Sequence, residues 1–144
     1  MRLSTRSRYG IRALTALAAK EQPEGRCARE IADEEELSKK YLESILAQLR
    51  TAGFVRSVRG AHGGYVLARE PAELSVGEII RVLEGSLAFV ECVEDSSYCP
   101  RAEDCVTRYI WIEAEKALAQ TFDGITIAEL VARKKVDTSS ASDE

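Results

Sequence analysis

Histidine, tryptophan and methionine each occur once in the 144 residues, and proline three times. The single histidine, His62, leaves no second imidazole to pair with, and no nucleophile and base stand together, so no catalytic constellation can be assembled. No apolar run approaches the roughly 20 residues that span a bilayer. The stretch Met1-Arg2-Leu3-Ser4-Thr5-Arg6 lacks the apolar core of a secretory signal. Together these absences predict a cytoplasmic chain, not an enzyme, with no membrane partner. No segment repeats, and no two cysteines form the tight C-x2–4-C pair usual in structural zinc sites.

What is present is ordinary in bulk and uneven in distribution. Hydrophobic residues make up 45% and charged residues 31%, as in a globular domain with one modest core. The formal net charge is −4. Residues 1–70 carry 13 Lys/Arg against 9 Asp/Glu, whereas residues 71–144 carry 7 against 15. A basic first half joined to an acidic second half suits a nucleic-acid face attached to something else, although scattered surface charge gives the same counts.

Local patterns divide the chain. Ser4 is placed to cap a helix over about 5–20, with Ile11, Leu14, Leu17 and Ala18 on one face. Gln22-Pro23-Glu24-Gly25 breaks it, and a short helix follows over about 27–34. Ser38 caps a third helix over about 39–51, whose stripe Leu42, Ile45, Leu46, Leu49 has i, i+3, i+4, i+7 spacing. Phe54 to Arg59 and Tyr65 to Ala68 flank the turn Gly60-Ala61-His62-Gly63-Gly64, a β-hairpin with a flexible tip. Ser75 with Glu78, and Thr126 with Glu129, have capping-box spacing and open helices to about Leu83 and Lys134. Between them lie an aperiodic stretch over 88–105 and a long helix over about 104–122. Its apolar face holds Ile110, Ala114, Ala117, Leu118 and Thr121, widened by Tyr109, Trp111 and Phe122.

The expected architecture is mainly α with a small β-hairpin. Residues 1–75 form a winged helix-turn-helix domain, 76–135 hold the loop and a long helix, and 136–144 form a disordered tail rich in Ser, Asp and Thr. In such a domain the third helix enters a major groove of double-stranded DNA. Ser38, Lys39, Lys40, Tyr41, Glu43 and Ser44 would then face bases and phosphates, with the lysines neutralising phosphate and Glu43 able to accept from cytosine N4. Glu43 could equally form an exposed pair with Lys39. Arg59, near the hairpin tip, can enter a minor groove or remain a plain surface arginine.

Of the four cysteines, Cys27 falls in the helix-turn-helix and reads as a small core residue. Cys92, Cys99 and Cys105 fall within 14 residues as C-x6-C-x5-C. Thiolates hold iron–sulfur clusters, usually four at a time. The spacing alone leaves three readings open: a cluster, a thiol redox switch, or free thiols.

In order and spacing, Met1-Arg2-Leu3-Ser4 with Arg8-Tyr9, Tyr41-Leu42-Glu43, Val58-Arg59-Gly60 with Gly63-Gly64-Tyr65, the three cysteines, Thr107, Trp111, and Ile125-Thr126 with Glu129-Leu130-Val131 carry a family resemblance. The chain resembles the Rrf-type winged-helix transcription factors, and within them the IscR-like iron–sulfur regulators, from Met1 to about Arg133. The resemblance implies a homodimer joined by the 104–122 helices and a pseudo-palindromic operator read through Ser38–Ser44 and Arg59. It further implies an iron–sulfur cluster, 2Fe–2S, held by Cys92, Cys99 and Cys105, and control of cluster-assembly genes. In IscR-like proteins a histidine often follows the last cysteine by three residues as fourth ligand. Here Arg108 stands there, and a guanidinium is a poor ligand. Glu103, Asp104, the Thr107 hydroxyl or an external thiol are the replacements. Relatives sensing nitric oxide, thiol redox state or cysteine supply are the nearest rival reading. A small electron-transfer protein is the distant one.

Overall fold

The computed structural model describes residues 2–20, 22–61 and 63–140, the side chains of 136–140 excepted. His62 and residues 141–144 lie outside the described residues. Helix α1 (Thr5–Ala19) begins where Ser4 Oγ accepts the Arg6 N–H at 3.1 Å. Helix α2 (Ala28–Glu34) and helix α3 (Lys39–Thr51) follow, the latter capped by Ser38 Oγ accepting from Tyr41 N at 3.4 Å. Strands β1 (Val55–Val58) and β2 (Gly64–Leu67) pair antiparallel, from Val55 opposite Leu67 to Val58 opposite Gly64. Helices α4 (Val76–Glu84), α5 (Glu91–Glu94), α6 (Arg108–Asp123) and α7 (Ile127–Ser140) complete the chain. The molecule is mostly helical with one small sheet, in winged helix-turn-helix order. No helix among the described residues is long and apolar enough to cross a membrane.

The two expected capping boxes differ. At α7 both halves form: Glu129 Oε2 accepts the Thr126 N–H at 2.8 Å, and Thr126 Oγ1 accepts the Glu129 N–H at 3.3 Å. At α4 only the serine half forms, at 3.1 Å, because the Glu78 carboxylate takes Arg69 at 2.8 Å instead.

The stripe Leu42, Ile45, Leu46, Leu49 is wholly buried, as its helical period requires. It meets Leu14 and Leu17 of α1, Ile31 of α2, Phe54 and Val55. Leu74, Ile79, Leu83 and Ile127 belong to the same core, so a boundary at residue 75 does not divide the hydrophobic interior. Backbone bonds fix α4 and α7 side by side: Val76 N–H to Ile125 O at 2.8 Å and Ile127 N–H to Leu74 O at 2.9 Å. Helix α7 runs past Lys134 to Ser140, so residues 136–140 of the expected disordered tail are helical. Helix α6 starts at Arg108 rather than near 104, since the residues before it wind in turns. Cys27 is no core residue; it is half-buried at the N-cap of α2, where its N–H donates to Glu30 Oε2 at 3.2 Å.

The wing has a third strand-like partner. The Arg26 N–H donates to Tyr65 O at 3.0 Å and the Tyr65 N–H returns to Arg26 O at 2.8 Å, tying the α1–α2 linker to β2. Glycine permits this approach: at Gly64 a Cβ would lie 2.8 Å from Glu24 O, and at Gly25, with φ +74°, 2.6 Å from Val58 Cγ2. Arg26 is 4% exposed, and its side chain turns inward. It donates to Ala16 O in α1 at 3.0 Å and to Glu34 Oε2 in α2 at 2.6 Å. Lys20 reaches the same carboxylate oxygen at 2.8 Å.

Arg26→Ala is expected to lower the urea midpoint, by about 1–3 kcal/mol with unchanged slope, since α1 and Glu34 both lose a charged donor. Lys20→Ala, at an exposed position, is expected to cost under about 1 kcal/mol. The hydrogen bond from Lys20, with Arg26 adding to it against the opposing effect of burial, holds the Glu34 carboxyl below its ordinary range. A carboxyl depressed in the folded state stabilises above its unfolded pKa and loses that contribution as pH falls through the folded one. Acid titration of stability should therefore be shallower in Arg26→Ala than in the parent.

Candidate nucleic-acid interface and cysteine segment

The first turn of α3 and the hairpin lie on one side of the molecule, separated by a cleft of about 430 Å3. Lys40, Glu43 and Ser44 of α3 are exposed, as are Ser38 ahead of it and Arg56 and Arg59 of the hairpin, among them Ser44 with its hydroxyl donated to Tyr41 O at 2.7 Å. Lys39 and Glu43 approach to 3.6 Å, so the intrahelical pair forms. Both are about half exposed, and such a pair contributes only about 0.3–0.5 kcal/mol. Glu43 thus stays free to exchange its lysine for a base edge.

Tyr41 is placed differently from its neighbours. Its ring packs edge-on to Tyr9 of α1, with centroids 5.9 Å apart, and its hydroxyl hydrogen-bonds with Thr5 Oγ1 at 3.0 Å. That side chain seats α3 on α1 rather than facing outward. Arg50 was not singled out by pattern; its Nη1 donates to Ser57 Oγ at 3.1 Å and locks the end of α3 to β1. Nothing local in the sequence marks such a cross-element bond.

The cysteine segment is held apart from this face. Cys92 lies in α5, Cys99 follows the short turn Ser96–Tyr98, and Cys105 precedes α6; all three are half-buried. Asp95 Oδ1 accepts from Ser97 N and Ser97 Oγ at 2.9 and 2.6 Å, shaping the turn. Leu87 and Ala102 are buried anchors, and Phe89 packs against Trp111 with centroids 6.5 Å apart. Arg108 Nε donates to Cys92 O at 2.8 Å, joining α5 to α6. Thr107 Oγ1 lies 3.2 Å from Cys105 Sγ. That hydroxyl, with the Arg108 N–H and the nearby Arg101 charge, holds the Cys105 thiol below its ordinary value.

Three soft sulfur donors, accessible and on one segment, fit an iron–sulfur cluster by chemistry. They do not fit it by present placement: among the described residues, no three His, Cys, Asp or Glu side chains lie together as a metal site. Holding a cluster requires the 92–105 segment to close on itself. Of the expected fourth ligands, Glu103 and Asp104 are exposed and Thr107 already touches Cys105.

Helix α6 buries no residue, and Tyr109 and Ile110 are 67% and 54% exposed. One of its tethers to α4 is the bidentate pair Arg81–Asp123, at 2.6 and 2.9 Å, which lowers the aspartate's pKa and raises the arginine's.

A helix-turn-helix with a basic wing and a buried α3 stripe is the architecture of a DNA-binding regulator. The family described as Rrf2, iron-dependent transcriptional regulator, matches residues 3–133. The protein rrf2 of Nitratidesulfovibrio vulgaris is 42% identical over 91% of this chain and 87% of its own length. The structure of CymR (YrzC), the global cysteine regulator of B. subtilis, superposes with a TM-score of 0.76 at 38% identity, covering 92% of this chain and 98% of that one. The structure of T. potens IscR gives 0.74 at 40% identity, over 93% and 88%. The chain belongs to the Rrf2 family: it is a DNA-binding transcriptional regulator, not an enzyme.

Arg108→Ala should release α5 from α6. Amide exchange across residues 90–105 is expected to quicken about tenfold, the loss of one charge-assisted bond, while exchange in the α1–α3 core stays unchanged.

Proposed function

We propose that this regulator is a homodimer that reads a pseudo-palindromic operator and senses iron–sulfur status through a cluster, 2Fe–2S, on Cys92, Cys99 and Cys105. The single observation that carries the sensing half is the position of the three thiols. They share one segment that packs on α6 through Phe89, Trp111 and Arg108 and lies outside the main core. The family's iron dependence supports the same signal.

The wide apolar face of α6 covers itself against a second α6, which sets two α3 helices at a fixed separation. Each α3 enters a major groove through Ser38, Lys39, Lys40, Glu43 and Ser44, and each Arg59 enters a flanking minor groove. Tyr41 acts by seating the helix. The chain's own residues supply the switch. Closing of the 92–105 segment breaks the Arg108–Cys92 bond and so changes how α6 sits on Arg81 and α4. Operator occupancy then follows whichever state binds DNA better. A bound cluster would supply the free-energy difference between the two states. In this reading the regulator works in the cytoplasm, and cluster-assembly genes are the natural targets of such a signal.

A second reading is favoured by the likeness to the global cysteine regulator: the accessible thiols report thiol redox state or cysteine supply directly, with no metal. Protein purified without oxygen separates the two. A reddish-brown chain with two iron and two sulfide per protomer, bleached by Cys92→Ala, Cys99→Ala or Cys105→Ala, supports the cluster. A colourless protein after reconstitution, with DNA affinity that follows thiol oxidation, supports the second. For the dimer, sedimentation is expected to give twice the chain mass, and Ile110→Glu to yield monomers that stay folded, since Ile110 lies outside both cores.

A further inference from the structure

With α3 in a major groove and the hairpin tip in the adjacent minor groove, one sugar–phosphate strand has to pass between them. The fold holds a cleft of about 430 Å3 at that position, walled by the first turns of α2 and α3 and by the hairpin. Two cations line it, Arg29 from α2 and Lys39 from α3. Lys39 is matched by Glu43 at 3.6 Å. Arg29 is exposed and has no ion pair or hydrogen bond among the described residues. By contrast Arg12, Lys20, Arg26, Arg69, Arg81 and Lys116 are all committed to carboxylates.

The opposite wall suits a close-lying strand. Gly63 presents bare backbone there, and Ser57 of β1 lines the same wall. Ser57 Oγ accepts from Arg50 at 3.1 Å, which leaves its O–H to donate across the cleft. We propose that this cleft carries the sugar–phosphate strand between the two grooves, with Arg29 as a phosphate-binding residue and the Ser57 hydroxyl as a second donor to the same strand. The inference rests on the docking of α3 and the wing given above. It adds a contact from α2, outside the recognition helix.

A phosphate contact is blind to sequence and releases about one counterion. The test titrates the full chain with a random-sequence duplex of about 40 base pairs, long enough for two half-sites one turn apart, over a range of salt. Arg29→Ala is expected to weaken binding several-fold and reduce the slope of log affinity against log salt by about 0.9 per protomer bound, with Arg29→Lys restoring most of the slope. Cys27 lines the same cleft and provides an independent readout. Duplex should slow its alkylation while Cys92, Cys99 and Cys105 react as before. If Arg29→Ala changes neither affinity nor slope while Lys40→Ala and Arg59→Ala lower both, the docking stands and the cleft is empty of phosphate. If none of the three variants matters and Cys27 stays unprotected, the docking itself fails and the proposal with it.

Discussion

The buried guanidinium of Arg26 sets the terms for everything around it. An unpaired cation in a protein interior costs several kcal/mol, so its partners must arrive together. They come from different elements: a carbonyl of α1, a carboxylate of α2, and, through the residue's own backbone, strand β2 of the wing. Glu34 extends the set to Lys20, and Lys134 of α7 lies within 3.9 Å of Glu34 and 3.3 Å of Glu35. Arg12 closes the group on Glu35, at 2.9 Å and through the Glu35 carbonyl. The turn between α2 and α3 is therefore held by charges from α1 and α7 at once. Recognition helix, wing and C-terminal helix form a single cooperative body.

The cysteine segment and α6 stand outside that body. The main core takes residues from α1 through α4 and from α7, but none from α5 or α6. The attachment runs through the smaller cluster around Val76, Ile80 and Leu87, and through the Arg81–Asp123 pair. In the proposed switch, a segment joined by few contacts can change state without unfolding the main core, and those few contacts are the ones able to pass the change on.

Much of this was legible in one dimension. Leu42, Ile45, Leu46 and Leu49 gave the recognition helix its face, and Ser4, Ser38, Ser75 and Thr126 gave four helix starts, because caps and periodicity are local properties. Three matters were not local. Tyr41 carries no mark in the sequence that distinguishes an inward ring from an outward one; Tyr9, 32 positions away, decides it. Cys27 looked like core for its residue type, whereas the strand-like pairing of Arg26 puts it at a helix cap beside the wing. The final helix outran its polar composition, since a complete capping box at Thr126 and packing of Leu130 and Val131 on the core start it firmly. Arg29 carries no local mark either, because the cleft it lines is formed by three separate segments.

The glycine-mediated contact of the hairpin with the α1–α2 linker has one more consequence. A wing hung on two strands alone would be a floppy ribbon, paying about 1–2 kcal/mol of backbone entropy for every residue ordered on contact. This one is already paired from Val55 to Val58 and from Gly64 to Leu67, and Tyr65 is bonded to the linker as well. A stiff probe of fixed width tests the groove it enters as a gauge tests a slot. If the wing docks as proposed, duplexes whose minor groove is too wide forfeit contact rather than being followed, and the shape of DNA enters recognition through the rigidity of the protein.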